Sequence, residues 1–217
     1  MRYLTGDIAR LILLSSSVLC LGDAWAASAP ADRMFDSVSV YSGQGINHNL
    51  KEIPGKILGG NLDWDSTYFT AVGFSNTRGS LASYLTTLQD TVFAPVRSGY
   101  EIVVAQHRGL QSDTEFGAVY TLRSPALHVG LLSVDFMAGA GLSYALGTPS
   151  YEDGSTSDPE RRYRTQFLGL FELEWQMQHH DNFSLVTRTH HRSGIYGLIA
   201  PQHVGSNFLA IGIRYKF

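Results

Sequence analysis

The sequence predicts an all-β fold: an eight-stranded antiparallel transmembrane β-barrel with one short amphipathic helix. Three observations predict it. An export signal precedes a chain without a long apolar run, the C-terminal segment alternates apolar and polar residues with a period of two, and strand-like segments recur upstream. Alternation gives a strand one apolar and one polar face, which suits a barrel with a polar lumen in a lipid bilayer.

The N-terminal segment has the composition of a secretory signal peptide. Arg2 and Arg10 lie in a short basic start, a 12-residue, mostly apolar run (LILLSSSVLCLG) follows it, and a small-x-small triplet (AWA) comes next. A run of this length is too short to span a bilayer as a helix. We therefore expect cleavage after Ala26 or Ala27, with a signal peptide over 1–26 and an outer-membrane barrel over 27–217.

Cysteine content and charge exclude several classes of protein. Cys20, the only cysteine, lies inside the signal, so we expect no disulfide, cysteine metal site or cysteine nucleophile in the mature chain. The net charge of −3 gives no sign of a nucleic-acid partner, which usually calls for a basic patch. The absence of a long apolar run after the signal excludes a helical membrane protein but not a β-barrel, whose alternating strands give only a weak hydropathy signal.

The last ten residues, FLAIGIRYKF, predict the closing strand. Alternate positions from 209 to 217 are apolar or aromatic, and small or charged residues such as Arg214 and Lys216 lie between them. This period of two indicates a strand with one apolar and one polar face. An exported chain that ends in such a strand, with a terminal Phe, resembles the closing strand of bacterial outer-membrane barrels. An edge strand of a soluble β-sandwich is the weaker alternative.

A second long alternation covers 162–178. Its even positions are rich in charged and polar residues, including Glu172 and Glu174, whereas aromatic residues cluster near both ends of the odd set. This pattern predicts a polar lumen and a lipid-facing band with interfacial aromatic girdles. With the other strands the count is eight, an even number that suits a closed antiparallel barrel without free edges. The other strands are placed at 35–44, 64–76, 98–108, 113–123, 128–146, 182–195 and 206–217.

The connections predict which end of the barrel is outside. Long segments that are polar or glycine-rich are expected outside, and tight turns on the periplasmic side. One segment, SLASYLTTLQDTV at 80–92, has apolar residues at helical spacing and is predicted to be the short amphipathic helix, at the periplasmic end. The expected outer loops are 45–63, 147–161 and 196–205, and the expected turns are SPAL at 124–127 and HHD at 179–181.

The seventh strand carries a candidate pair of catalytic residues. Arg188 and Arg192 on the hydrocarbon face would cost roughly 2–4 kcal/mol each near the midplane. The even residues therefore face the lumen, and His191 and Ser193 face outwards at lipid. An adjacent imidazole can take the proton of a serine hydroxyl, so the pair is a candidate base and nucleophile. Ordinary interfacial polarity is the alternative interpretation.

Asn207 on the eighth strand is a candidate third member. It shares the outward parity and follows the 196–205 loop, which joins the two strands. Its side-chain oxygen could accept the other ring N–H of His191 and fix the tautomer, although an amide stabilises an imidazolium less than a carboxylate does. Taken alone, Asn207 also fits a residue at the end of a loop that bonds the backbone.

These features together resemble the lipid A 3-O-deacylase (PagL) family: a signal peptide, an eight-stranded barrel of this size, His-x-Ser on the penultimate strand and a terminal Phe. The specific part of the resemblance covers about 191–217. Members are outer-membrane serine esterases that remove the acyl chain at position 3 of lipid A without a metal or other cofactor. They use a Ser–His pair on the outer wall, with an acidic residue that orients the histidine.

The resemblance implies Ser193 as nucleophile, His191 as general base and lipid A or lipopolysaccharide as substrate. It also implies location in the outer membrane of a Gram-negative bacterium. The chain departs from the family pattern at Gly194, where asparagine is usual, and at Asn207, the closest match to the family's acid. Either Asn207 orients the imidazole, or a carboxylate comes from another strand, or the site is inactive. Backbone N–H groups of Gly194 and Ile195 would form the oxyanion hole.

Other clusters favour structural roles. The histidine pairs at 179–180 and 190–191 do not predict a metal site, because adjacent residues of a strand face opposite ways. Glu101, His107 and Glu115 are expected to form a buried network, since side chains fill the interior of an eight-stranded barrel. The same narrow lumen disfavours a diffusion pore.

The alternative function is a non-catalytic small outer-membrane barrel, either a structural protein or an adhesin, or else an inactive relative of the enzyme. Association into a homodimer is left open.

Overall fold

The alternating segments form strands throughout the part of the chain that the computed structural model describes, residues 33–85, 87, 89, 91–152 and 163–217. The predicted signal peptide lies outside these residues. The strands are β1 (Ser37–Ile46), β2 (Trp64–Ser80), β3 (Arg97–Gly109), β4 (Thr114–Arg123), β5 (Leu127–Val129), β6 (Leu132–Ala145), β7 (Thr165–Met177), β8 (Phe183–Ser193) and β9 (Gly205–Lys216).

The strands close into an eight-stranded antiparallel barrel, in which β4 and the short β5 count as one strand. Each neighbouring pair is antiparallel, β1 pairs with β9 at the seam between the first and last strands, and β4 pairs with β6 to complete the ring. The three-residue β5 pairs only with β6 and continues the line of β4. The predicted eight-stranded antiparallel barrel is confirmed.

The hairpin between β4 and β6 differs from the expectation. The sequence predicts a turn at 124–127 and one strand over 128–146, but the turn is formed by Gly130 and Leu131, between Val129 and Leu132. Gly130 has a φ of 61°, which glycine adopts without a steric penalty. The SPAL segment is instead a break in the strand, consistent with Pro125, which has no N–H to donate to a ladder.

Side-chain parity follows the prediction. Even residues of β7, β8 and β9 point into the lumen, where Glu172, Arg188 and Arg214 are buried. Odd residues point outwards, and apolar ones such as Ile211 and Ile213 are more than half exposed. An apolar exterior around a charged interior is the arrangement of a transmembrane barrel.

Within the described residues, no helix is long and apolar enough to cross a membrane.

The lumen is filled by a network of buried ion pairs and by an apolar and aromatic cluster that includes Tyr41, Phe69 and Phe208. Arg188 pairs with Glu101 at 2.5 Å and also contacts Glu172. Arg214 binds Glu172 at 2.6 Å and contacts Glu174. Nearer the outer end, Glu115 accepts hydrogen bonds from the rings of His107 and His190. The predicted burial of Glu101, His107 and Glu115 is confirmed, and His107 contacts Glu115, whereas Glu101 pairs with Arg188 and Arg214 and contacts neither of the other two. The ionic side chains of this network are Glu101, Glu115, Arg123, Asp135, Glu152, Glu172, Glu174, Arg188, Arg192, Arg214 and the partly exposed Lys216.

Short helices occupy two connections. The predicted helix within 80–92 is a single turn, α2 (Leu81–Tyr84), after which Leu85 leaves helical geometry. Positions 86, 88 and 90 lie outside the described residues. The β1–β2 connection, residues 47–63 and here called loop 1, holds a 3₁₀ turn (Leu50–Glu52) and α1 (Ile53–Gly59). Pro54 in the first turn and Gly60 after the last, with a φ of 66°, are typical boundaries for such a helix.

Replacing Glu172 with glutamine tests the lumen network. Glu172 contacts the guanidinium groups of Arg123, Arg188 and Arg214, and neutral glutamine leaves this positive charge undercompensated in a buried site. We expect Glu172→Gln to lower the free energy of unfolding by about 3–5 kcal/mol, measured by denaturant titration in detergent. The control Asp181→Asn, in an exposed turn, should change it by less than about 0.5 kcal/mol. Equal effects of the two changes would contradict the structural role of the network.

Candidate functional site

A polar cleft of about 430 Å³ lies at the outer end of the barrel, between loop 1 and the ends of β8 and β9. It brings together the three residues that the sequence singled out, His191, Ser193 and Asn207. Its other walls come from loop 1, from the connection between β8 and β9, and from Tyr151 in the β6–β7 connection. The other lining residues are Ile46, Asn47, His48, Asn49, Leu50, Glu52, Arg192, Gln202, His203, Val204, Gly205 and Ser206.

His191 is held between two neighbouring strands. It pairs with Gly169 on β7 and with Asn207 on β9. A Cβ at position 169 would lie 3.4 Å from His191 Cδ2, so the ring packs over the glycine. The ring of Phe167 is 6.3 Å away in an edge-on arrangement. His190, the adjacent residue, is fully buried in the lumen, so the two histidines face opposite sides of the wall.

Asn207 contacts the imidazole directly. His191 Nδ1 lies 2.7 Å from Asn207 Oδ1, and Asn207 Nδ2 donates a hydrogen bond of 2.8 Å to the carbonyl oxygen of His48 in loop 1. A carbonyl oxygen can only accept, so the amide nitrogen must face His48 and the amide oxygen must face His191. His191 Nδ1 must then carry the proton. In the neutral ring, Nε2 is consequently the unprotonated nitrogen, the form that a general base requires.

Ser193 lies two residues beyond His191 on the same outward face and is half-buried. Residues at this spacing in a strand have Cα atoms roughly 7 Å apart, so their side chains are neighbours. Among the described residues, no hydrogen bond joins the Ser193 hydroxyl to the His191 ring. Catalytic hydrogen bonds are often long in the absence of substrate and tighten in the complex.

The backbone after Ser193 is tightly constrained. The Gly194 N–H donates to Val204 O at 3.3 Å, whereas the Ile195 N–H has no acceptor within the described part of the chain. Ile195 and Tyr196 both have positive φ, 46° and 51°, which is uncommon for a β-branched residue. Of the two N–H groups predicted for an oxyanion hole, that of Gly194 is engaged and that of Ile195 is available. Neither residue lines the cleft.

Carboxylates reach the region from two places that the sequence did not indicate. Glu52 of loop 1 lines the cleft and accepts long hydrogen bonds of 3.4 Å from Asn49. Glu152 enters the top of the barrel from the β6–β7 connection, contacts Arg192 and accepts a 2.9 Å bond from Ser206 Oγ. Neither makes a hydrogen bond to His191, whose ring is oriented by the amide of Asn207.

Tyr151, the neighbour of Glu152, ties the β6–β7 connection to the rim of the barrel. Its hydroxyl donates to Asp65 Oδ2 at 2.5 Å. Burial, together with this carboxylate, raises the pKa of the Tyr151 hydroxyl, so it stays protonated and keeps the bond at neutral pH. This bond fixes one wall of the cleft.

An apolar groove of about 870 Å³ lies on the outer wall beside the polar cleft, and Leu50 lines both. One side of the groove is loop 1, which contributes the buried Ile53 together with Pro54 and Ile57. The other side is the barrel wall below His191, where Thr189 and Leu209 lie. The remaining lining residues are Leu62, Phe136, Phe171, Glu172, Leu173, Trp175, Thr187, Arg188 and Ala210.

Replacing Gly194 with alanine tests the constraint beside the site. A Cβ there would lie 1.9 Å from Ala200 O, so the 194–204 loop must shift. We expect Gly194→Ala to lower the free energy of unfolding by about 1–3 kcal/mol, measured by denaturant titration. Gly55→Ala in α1, where a Cβ would have nothing within 4 Å, is the matched control and should be neutral or slightly stabilising. An unchanged stability in Gly194→Ala would show that this close approach is absent.

Comparison with known proteins identifies the fold. A crystal structure of the outer membrane enzyme PagL is similar to this chain, with a TM-score of 0.53, 11% sequence identity, and coverage of 83% of this chain and 99% of that one. Two further similar structures are Neisserial surface protein A (NspA; TM-score 0.47, 8% identity, 83% and 96% covered) and Ail of Yersinia pestis in a nanodisc (TM-score 0.37, 10% identity, 84% and 100% covered). No protein-family model matches the sequence, and no curated protein matches it. The fold is that of small outer-membrane barrels.

Proposed function

We propose that the protein is a serine esterase of the Gram-negative outer membrane that hydrolyses an ester-linked acyl chain of lipid A or lipopolysaccharide. The observation that carries the proposal is the 2.7 Å contact between His191 Nδ1 and Asn207 Oδ1, on the lipid-facing wall and beside Ser193. It leaves Nε2 of a neutral imidazole unprotonated, two residues from Ser193 on the same face of β8. An interfacial polar residue without a chemical role does not require this orientation.

The reaction follows from these roles. Ser193 Oγ attacks the ester carbonyl while its proton passes to His191 Nε2, and the tetrahedral intermediate collapses to an acyl-enzyme as the proton moves to the departing sugar hydroxyl. Water then attacks the acyl-enzyme, again with His191 as base, and releases a fatty acid. The Ile195 N–H, which has no acceptor among the described residues, is a candidate donor to the oxyanion.

The two connected cavities support an amphiphilic substrate. The polar cleft suits a hydroxylated sugar at the membrane surface, and the apolar groove that shares Leu50 suits a hydrocarbon chain directed along the wall. A site on the outside of the barrel receives such a lipid laterally from the leaflet. The substrate then does not have to pass through the lumen, which ion pairs and buried apolar side chains fill.

The first test is mass spectrometry of lipid A from cells that express the wild type, Ser193→Ala or Asn207→Ala. We expect the wild type to remove one hydroxyacyl chain, Ser193→Ala to remove none, and Asn207→Ala to retain at most a tenth of the activity, because its imidazole loses the acceptor that fixes the tautomer. The matched control is Ser66→Ala. Ser66 is an outward-facing, exposed serine at the outer end of β2, three strands away from β8 in the barrel.

The alternative is a non-catalytic small barrel, and it is favoured by the amide at position 207 and by the absence of a hydrogen bond between Ser193 and His191 within the described residues. Unchanged lipid A in cells that hold the folded wild-type barrel would support this alternative. Deacylation that persists in Ser193→Ala would assign the activity to another nucleophile.

A second test addresses the apolar groove. Thr189→Trp places a bulky ring in the groove, two residues below His191 on the same face. We expect it to lower the ratio of activity on long-chain esters to activity on short-chain esters by at least about tenfold, equivalent to about 1.4 kcal/mol. Hydrolysis of synthetic esters of increasing chain length measures the ratio. Tyr68→Trp, outward-facing on β2 and remote from the groove, is the control. An unchanged ratio in Thr189→Trp would place the acyl chain elsewhere.

A further inference from the structure

An amide in place of the orienting acid creates a problem that a carboxylate does not have. The two oxygens of a carboxylate are equivalent acceptors, whereas an asparagine can present either its oxygen or its NH₂ group to the imidazole. If Nδ2 of Asn207 faced His191, the ring would have to accept at Nδ1 and carry its proton on Nε2. That tautomer cannot take the proton of Ser193. A working site therefore needs a group that selects one orientation of the Asn207 amide.

The carbonyl oxygen of His48 is placed to make this selection. It accepts the hydrogen bond of Asn207 Nδ2 at 2.8 Å, across a sequence separation of 159 residues. The position of this oxygen depends on the side chain of the same residue, because His48 Nε2 accepts the backbone N–H of Asp63 at 2.9 Å. A backbone bond of 2.9 Å from Asn47 N to Asp63 O closes the base of loop 1 beside it.

We propose that His48 is a positioning residue of the site. Its ring anchors the base of loop 1, its carbonyl oxygen fixes the amide of Asn207, and the amide fixes the Nδ1–H tautomer of His191. This inference rests on the proposed esterase function and adds a fourth residue to the site of His191, Ser193 and Asn207. Loop 1 thereby contributes to the chemistry as well as to the groove, since α1 and the His48 anchor belong to the same connection.

The assignment predicts an interaction between positions 48 and 207 that a purely structural role of His48 does not. His48→Ala keeps the carbonyl group but removes the ring that holds it in place, so the amide of Asn207 can rotate. In Asn207→Asp, either carboxylate oxygen accepts from His191, and the second oxygen faces the His48 carbonyl without a hydrogen between them. His48→Ala loosens loop 1 and relieves that contact. We therefore expect His48→Ala to be harmless or beneficial in the Asn207→Asp background.

The experiment is a double-mutant cycle of the full-length barrel in detergent or lipid, with a soluble ester as substrate. We expect His48→Ala to lower kcat/KM at least tenfold in the Asn207 background and by less than threefold, or to raise it, in the Asn207→Asp background. Equal losses in the two backgrounds would overturn the proposal and leave His48 a structural loop residue. His128→Ala is the matched control, since this histidine is exposed on β5 at the opposite end of the barrel. Far-UV circular dichroism verifies that each variant is folded.

A second readout does not depend on activity. Nitrogen-15 NMR distinguishes the two neutral tautomers of His191, whose signals are those lost in His191→Gln. We expect one Nδ1–H form in the wild type and the appearance of the Nε2–H form in His48→Ala. If the wild type hydrolyses no ester but His48→Ala shifts the tautomer, the esterase function fails while the positioning role stands. An unchanged tautomer in His48→Ala overturns the positioning role, whatever the activity.

Discussion

The fold depends on the side-chain parity of a barrel wall that has lipid on one side and a narrow lumen on the other. Charged residues in β7, β8 and β9 can be accommodated on one face only, and that face carries Glu172, Arg188 and Arg214. The lumen is too narrow for bulk water, so each charge must find a partner inside. Once the ion pairs fix which residues point inwards, the outward set follows, and His191, Ser193 and Asn207 belong to it.

The sequence predicts side-chain parity and strand number well, because both follow from a two-residue period. That period can be read along each strand without knowing which strands are its neighbours. Where the period is interrupted the prediction is weaker. The sequence predicts a single strand over 128–146, but Gly130 begins a turn there, and the SPAL segment only breaks the strand that precedes this turn. The seven-residue α1 is too short to show an apolar periodicity. The 80–92 segment has such a periodicity, yet only Leu81–Tyr84 is helical there.

The outward face of the three site residues is also predictable from parity, and the pairing of His191 with Asn207 follows from the hairpin that joins β8 and β9. The role of His48 is not predictable in this way. Its contact with Asn207 is made by a backbone carbonyl, which leaves no mark in the sequence, and its position depends on the conformation of a loop far away in the chain. The position of Glu152 in the lumen is not predictable for a similar reason, because a loop residue belongs to no periodic pattern that would indicate which way it faces.

The seam between β1 and β9 has a consequence for when the site can exist. His48 follows the first strand, Asn207 lies on the last, and only the pairing of these two strands brings them together. Before its barrel closes, the chain holds Ser193 and His191 without the group that orients the asparagine. Under the proposed esterase function, the chain before barrel closure therefore resembles a zymogen, and membrane insertion is its activating event. Such an arrangement would protect the lipids that the chain meets on its way to the outer membrane.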